Sequence, residues 1–165
     1  MRIACGNRVL YSLNRLFGGD VMNSDRLCIK ANDHGGCDVI SSLLQDSIFH
    51  ISAPSLHEDS KCFRILLNRF CWEQEKDEDS SSFFRVHSGL YIYNVKSVVI
   101  NDNFKKIRKE RHLNLLAMHA SSDEVNILFS GHKSICIKID GICIYLKDLH
   151  DKHPTLVSSN HFELP

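Results

Sequence analysis

The chain has 165 residues, 43% of them hydrophobic, enough for one domain with its own core and too many for a disordered chain. Twenty Lys and Arg balance twenty Asp and Glu, so the global basic field of a nucleic-acid binder is missing. The seven Cys form no C-x-x-C pair and sit mostly in apolar patterns, which argues against a disulfide scaffold and for a reducing, cytoplasmic setting; no apolar run has the length of a bilayer span.

Residues 1–21 show no clean period and end in Gly18-Gly19-Asp20, just before Met22. The favoured reading makes Met22 the start and residues 1–21 an extension outside the native protein; the plainer alternative is a short, loosely held N-terminal arm. Residues 22–165 read as a single α+β domain with a loose tail after about residue 154. Leu27 to Ala31 suits a short strand, and Asp33 is placed to cap a helix on which Cys37, Ile40, Leu43 and Leu44 recur at helical spacing. Ser47 to Ala53 alternates as a strand and Pro54 ends it. After a turn at residues 56–60 comes the densest apolar stretch, Lys61 to Glu73, which holds the only Trp, Trp72. Phe63, Ile65 and Leu67 lie on one face, and Leu66, Phe70 and Trp72 on the other. Both faces are apolar, as in a strand near the middle of a sheet.

Residues 73–82 are acidic, then Ser-rich, and read as a solvated loop. Phe83 to Val86 starts a strand, Gly89 marks a bend or bulge, and Leu90 to Ile100 continues as a strand. A basic run from Lys105 to Arg111 follows. Strands are expected at Leu113–His119, Val125–Phe129 and Ile135–Ile139, with turns between them at 121–123 and 130–132. Asp140 can cap a second helix, with Ile142, Tyr145, Leu146 and Leu149 as an apolar stripe; the β-rich composition there makes a strand the competing reading. The expected fold class is therefore α+β: an antiparallel, strongly bent β-meander sheet or half-open barrel of six or seven strands. An N-terminal and a C-terminal helix flank it.

Leu44-Gln45-Asp46, Asn68-Arg69-Phe70 with Trp72-Glu73, Leu115-Leu116-Ala117, and Phe129-Ser130-Gly131 leading to Leu146-Lys147-Asp148-Leu149 resemble an uncharacterised alphaproteobacterial family of small proteins. That family is known as a domain of unknown function, number 2948. The likeness runs from about Leu27 to Pro165, and Asn-Arg-Phe-x-Trp-Glu is its most specific motif. Family members begin just before the segment matching Leu27, which is why residues 1–21 read as an extension. Cys71 stands where the family motif commonly has an acidic residue, and Gly141 and Cys143 also depart from the pattern. The resemblance implies no activity, so it carries no catalytic role to this chain.

Asn68, Arg69 and Glu73 are the polar members of the central stretch. Arg69 has the planar fork to grip a carboxylate or phosphate, with Asn68 orienting the ligand. The plainer reading, which is favoured, pairs Arg69 with Asp46 or Glu73. His150 and His153, beside Asp148 and Asp151, lack the further ligands a metal needs, so no metal site is expected. Lys105, Lys106, Arg108, Lys109 and Arg111 can contact anions, but no aromatic platform is interleaved with them. The chain has no G-x-S-x-G elbow, P-loop, G-x-G-x-x-G or H-E-x-x-H motif, so no catalytic residue and no cofactor is assigned. The leading expectation is a non-catalytic cytoplasmic module that binds another protein or forms a homo-oligomer, with no membrane contact. A small-ligand binder or enzyme using Asn68, Arg69 and Glu73 is the alternative. Non-specific nucleic-acid contact through residues 105–111 is a weaker one.

Overall fold

The computed structural model of the chain describes residues 26–51, 53–73, 83–101 and 112–155. Along them run β1 (Cys28–Ala31), α1 (His34–Leu44), β2 (Ile48–His50), β3 (Ser55–His57), β4 (Cys62–Phe70), β5 (Phe83–Ile92), β6 (Val95–Ile100), β7 (His112–Ala120), β8 (Glu124–Phe129), β9 (Lys133–Ile139), β10 (Ile144–Asp148) and β11 (His153–Thr155). The strands form one open antiparallel sheet in the order β1-β10-β5-β4-β2-β7-β8-β9-β6, with β3 added to β4 and β11 to β5. The expected extension and most of the acidic and basic runs lie outside the described residues.

This fold corrects the expected one. The described residues contain a single helix, so no pair of helices flanks the sheet. The segment expected as the closing helix is strand β10. Its side chains alternate between buried and half-buried from Ile144 to Asp148, and it pairs with β1 on one side and β5 on the other. Residues 142–149 are apolar enough to satisfy a helical stripe and a strand alternation at once, and two waiting partner strands decide for the strand. Nor is the sheet a meander or a half-open barrel: β2 lies between β4 and β7, and the open path ends at β1 and β6.

Connectivity dictates the shape. β5 is third in the sheet order and β6 ninth, so six strand spacings, roughly 29 Å, separate them in a flat sheet. Yet Ile92 ends β5 and Val95 starts β6, a reach of about 11 Å at full stretch. The sheet has to curl until β6 approaches the end of β5. Asn94 turns the chain there at φ 59°, and its carbonyl accepts from Asp140 N–H at 2.9 Å. The curl gathers Phe63, Ile65, Leu90 and Leu146 from one half of the sheet and Leu115, Ile127, Ile135 and Ile137 from the other into one core.

Helix α1 starts where Asp33 accepts a hydrogen bond from Gly36 N–H at 2.7 Å, and it buries Cys37, Ile40 and Leu44 while packing on β7, β1 and β4. A side chain at Gly36 would stand 3.0 Å from Ala31 Cβ, so glycine there lets the helix lie close to β1. Gly89 is no bend: β5 runs straight through it, and the Tyr91 ring occupies the space a side chain would fill. The expected turn before β4 is partly strand, since Ser55–His57 pairs with Cys62–Arg64.

Candidate functional site

On the core face, β4, β5 and β10 lie in register. Phe63, Ile92 and Ile144 form one row across the three strands, and Ile65, Leu90 and Leu146 the next. In the third row, Leu67, Ser88 and Asp148, polarity appears. One step further along β4, Arg69 takes a core position, because side chains two apart share a face. Arg69 is fully buried and Asp148 nearly so.

Arg69 donates through Nε to Asp148 Oδ1 at 3.0 Å and through Nη2 to Asp148 Oδ2 at 2.9 Å. It donates to Glu73 through Nη1 at 2.9 Å and Nη2 at 2.8 Å, and through Nη1 to the Phe70 carbonyl at 3.2 Å. Those five bonds use all five guanidinium N–H groups, in two bidentate forks. Asp148 is equally engaged: Oδ1 also accepts from Ser88 Oγ at 2.7 Å, and Oδ2 from Leu27 N–H at 3.3 Å. Burial works against the Arg69 charge, but its bonds to Glu73 and Asp148 outweigh that and raise its pKa. Burial likewise works to raise the Glu73 pKa, and the Arg69 fork overrides it and holds the carboxyl below its usual range. Beside them, burial pushes the Cys71 thiol up to about 11, which leaves it protonated and a poor nucleophile at neutral pH.

Of the three polar residues singled out in the motif, Arg69 and Glu73 meet and Asn68 does not join them. Strand alternation turns Asn68 to the opposite face, across from Ile48 on β2 and His87 on β5. Its Oδ1 is buried without a hydrogen-bond partner. On that face a second buried guanidinium, Arg85, donates through Nη1 to the Asn68 carbonyl at 3.0 Å and the Asp46 carbonyl at 3.1 Å. It also lies over the Phe70 ring, 5.4 Å from the centroid. Trp72 lies past the end of β4 with 36% of its surface exposed; its ring packs at a tilt against Phe70, and its Nε1–H donates to the Gln45 carbonyl at 3.1 Å.

Lys105, Lys106, Arg108, Lys109 and Arg111 lie outside the described residues. Sequence reasoning missed Asp148, Ser88 and Arg85 as members of buried polar clusters. Asp148 was legible in principle: a strand reading of Ile144-Tyr145-Leu146-Lys147-Asp148 puts it on the core face. His150 and His153 lie on no helix; they are in the linker after β10 and in β11, and both rings pack on His87. Among the described residues no three His, Cys, Asp or Glu are placed to hold a metal ion, and no helix is long and apolar enough to cross a membrane.

A family model described as "Protein of unknown function (DUF2948)" matches residues 27–161, and the chain belongs to that family. No curated protein and no solved structure matches the chain.

Proposed function

We propose that the chain is a non-catalytic cytoplasmic module that assembles with a second copy of itself through the β6 edge of its sheet. The observation that carries this reading is the chemistry of β6. It ends the strand order, and β9 is its one partner strand among the described residues; only its first residue is tied elsewhere, by Val95 N–H to the Lys61 carbonyl at 3.0 Å. Edge strands are usually guarded by charge, proline or shortness. β6 has one charged residue, Lys96, which is held by Asp140 at 2.9 Å and lies at a register shift against β9, and beyond that irregularity the strand is the regular apolar run Val98-Val99-Ile100. Val99 is 60% exposed and Ile100 is exposed beside it.

A second copy suits this edge. Antiparallel self-pairing centred on Val98 sets Val98 against Val98, Ser97 against Val99, and Lys96 against Ile100. No like charges oppose one another, and each pair shares a face. Free thiols at Cys37, Cys62, Cys71, Cys136 and Cys143 support the reducing, cytoplasmic setting. The alternative, a small-ligand site on Asn68, Arg69 and Glu73, gains support from the unpartnered Asn68 Oδ1, but a ligand carboxylate has to displace Glu73 or Asp148 to reach Arg69.

The test is sedimentation of the native chain and of Val98→Lys, which places two lysines face to face on the symmetry axis. The expected result is a dimer that becomes a monomer on substitution, with an unchanged circular-dichroism spectrum. A native chain that stays monomeric at every concentration removes the reading.

A further inference from the structure

We propose that His87, with His150 and His153 packed on its ring, forms an acid-sensitive latch that holds β11 and its linker on β5 while the His87 imidazole is neutral and releases them when it is protonated. β10 and β11 pair with the same edge of β5, β10 along Ser88–Ile92 and β11 along Phe83–Arg85. The linker between them, residues 149–152, therefore has to pass beside Val86 and His87. Its backbone is tied there by Leu149 N–H, which donates to the His87 carbonyl at 2.8 Å. The His87 ring meets His150 edge-on at 5.7 Å and stacks on His153 at 5.2 Å between centroids. His150 lies in the linker and His153 is the first residue of β11, so the two contacts bracket the segment they hold.

The surroundings favour a neutral His87 ring. Arg85 stands across from His153 in the β5–β11 register, Lys152 is in the linker, and Lys147 lies one register step along β10 from Asp148. The linker's carboxylate, Asp151, accepts from the Arg26 guanidinium at 2.9 Å, and Asp148 is turned inward to Arg69. On β4 the residue opposite His87 is Asn68, which is uncharged. Burial, then His153 and His150, lowers the His87 pKa below the usual histidine value. A base whose folded pKa is depressed takes up protons more readily when released. The latch is therefore fully closed above about pH 6.5 and loses stability as pH falls below that. β11 is a weak strand in itself: it has three residues, and Pro154 has no N–H to give. The loss is therefore local, an opening of this segment with the rest of the sheet in place.

Amide hydrogen exchange on the whole chain at about pH 7.5 and about pH 5.5, corrected for intrinsic exchange rates, tests this. The expected result is that protection of residues 149–155 falls at the lower pH, by at most about tenfold for one imidazole, while β8 and β9 stay protected. His87→Asn is expected to abolish that local pH dependence, and His153→Gln to weaken it. Unchanged protection in the native chain overturns the latch. So does a loss spread evenly over the sheet, or a local loss that persists in His87→Asn.

Discussion

Strands β4, β5 and β10 are apolar at one end of the core face and ionic at the other, and the contrast shows how this sheet keeps its register. Where Phe63, Ile92 and Ile144 meet, a slip of two residues exchanges one large apolar side chain for another, and packing alone discriminates weakly. At the far end the same slip moves Arg69 away from Asp148 and leaves two buried charges apart. The apolar end supplies most of the burial, and the ionic end supplies the alignment. The two ends are joined by Leu67, Ser88 and Asp148, a row that is part of each.

The largest expected effect breaks the ionic end. Arg69→Met leaves Asp148 buried with no cation and is expected to cost about 3–5 kcal/mol in denaturant unfolding. Ile65→Ala, at the apolar end, opens a cavity and is expected to cost about 3 kcal/mol. The pair is separated by rescue: adding Asp148→Leu to Arg69→Met removes the stranded carboxylate and is expected to recover a large part of the loss, whereas nothing at the ionic end rescues Ile65→Ala. If the double variant is no better than Arg69→Met alone, alignment by charge is the wrong account of this end. Smaller again is Trp72→Ala. A core Trp costs about 3–5 kcal/mol, but this one is partly exposed and holds one carbonyl, so about 1–2 kcal/mol is expected.

How much of this the sequence revealed depended on whether the deciding contact was local. The cap at Asp33 and strands β7, β8 and β9 were legible, because an N-cap and a three-residue turn act within a few residues. Strand β10 was not, because its apolar residues fit both periods and its partners, β1 and β5, lie more than fifty residues away in the chain. The pairing of Arg69 with Glu73 was open to view as a plain reading, but its geometry was not. In a continuing strand, residues four apart lie about 13 Å from each other. Glu73 reaches Arg69 because the chain turns at Trp72–Glu73, and the expected strand through Trp72 hid that turn. Asn68 and Arg69 look like one constellation in the sequence, yet adjacent strand residues point to opposite faces, so two neighbours in the motif serve two separate clusters.

The smallest effect is also the most specific to the ionic end. Arg69 lowers the Glu73 pKa, so the folded state holds the ionised form more tightly than the unfolded chain does. That contribution is fully present above the usual carboxylate value of about 4.3 and is lost as pH falls from there through the depressed folded value. Glu73→Gln removes this titration. Near neutral pH it is expected to cost little, since Glu73 is one-third exposed and Asp148 still neutralises Arg69. Below about pH 4.3 the melting temperature of the native chain is expected to fall more steeply than that of Glu73→Gln. The window lies below the one in which His87 takes up its proton on release, so the two acid responses separate in a single pH series. If Glu73→Gln keeps the full native slope, the acid sensitivity belongs to carboxylates other than Glu73, and the outer fork of Arg69 is a surface ion pair that contributes nothing to the alignment of the strands.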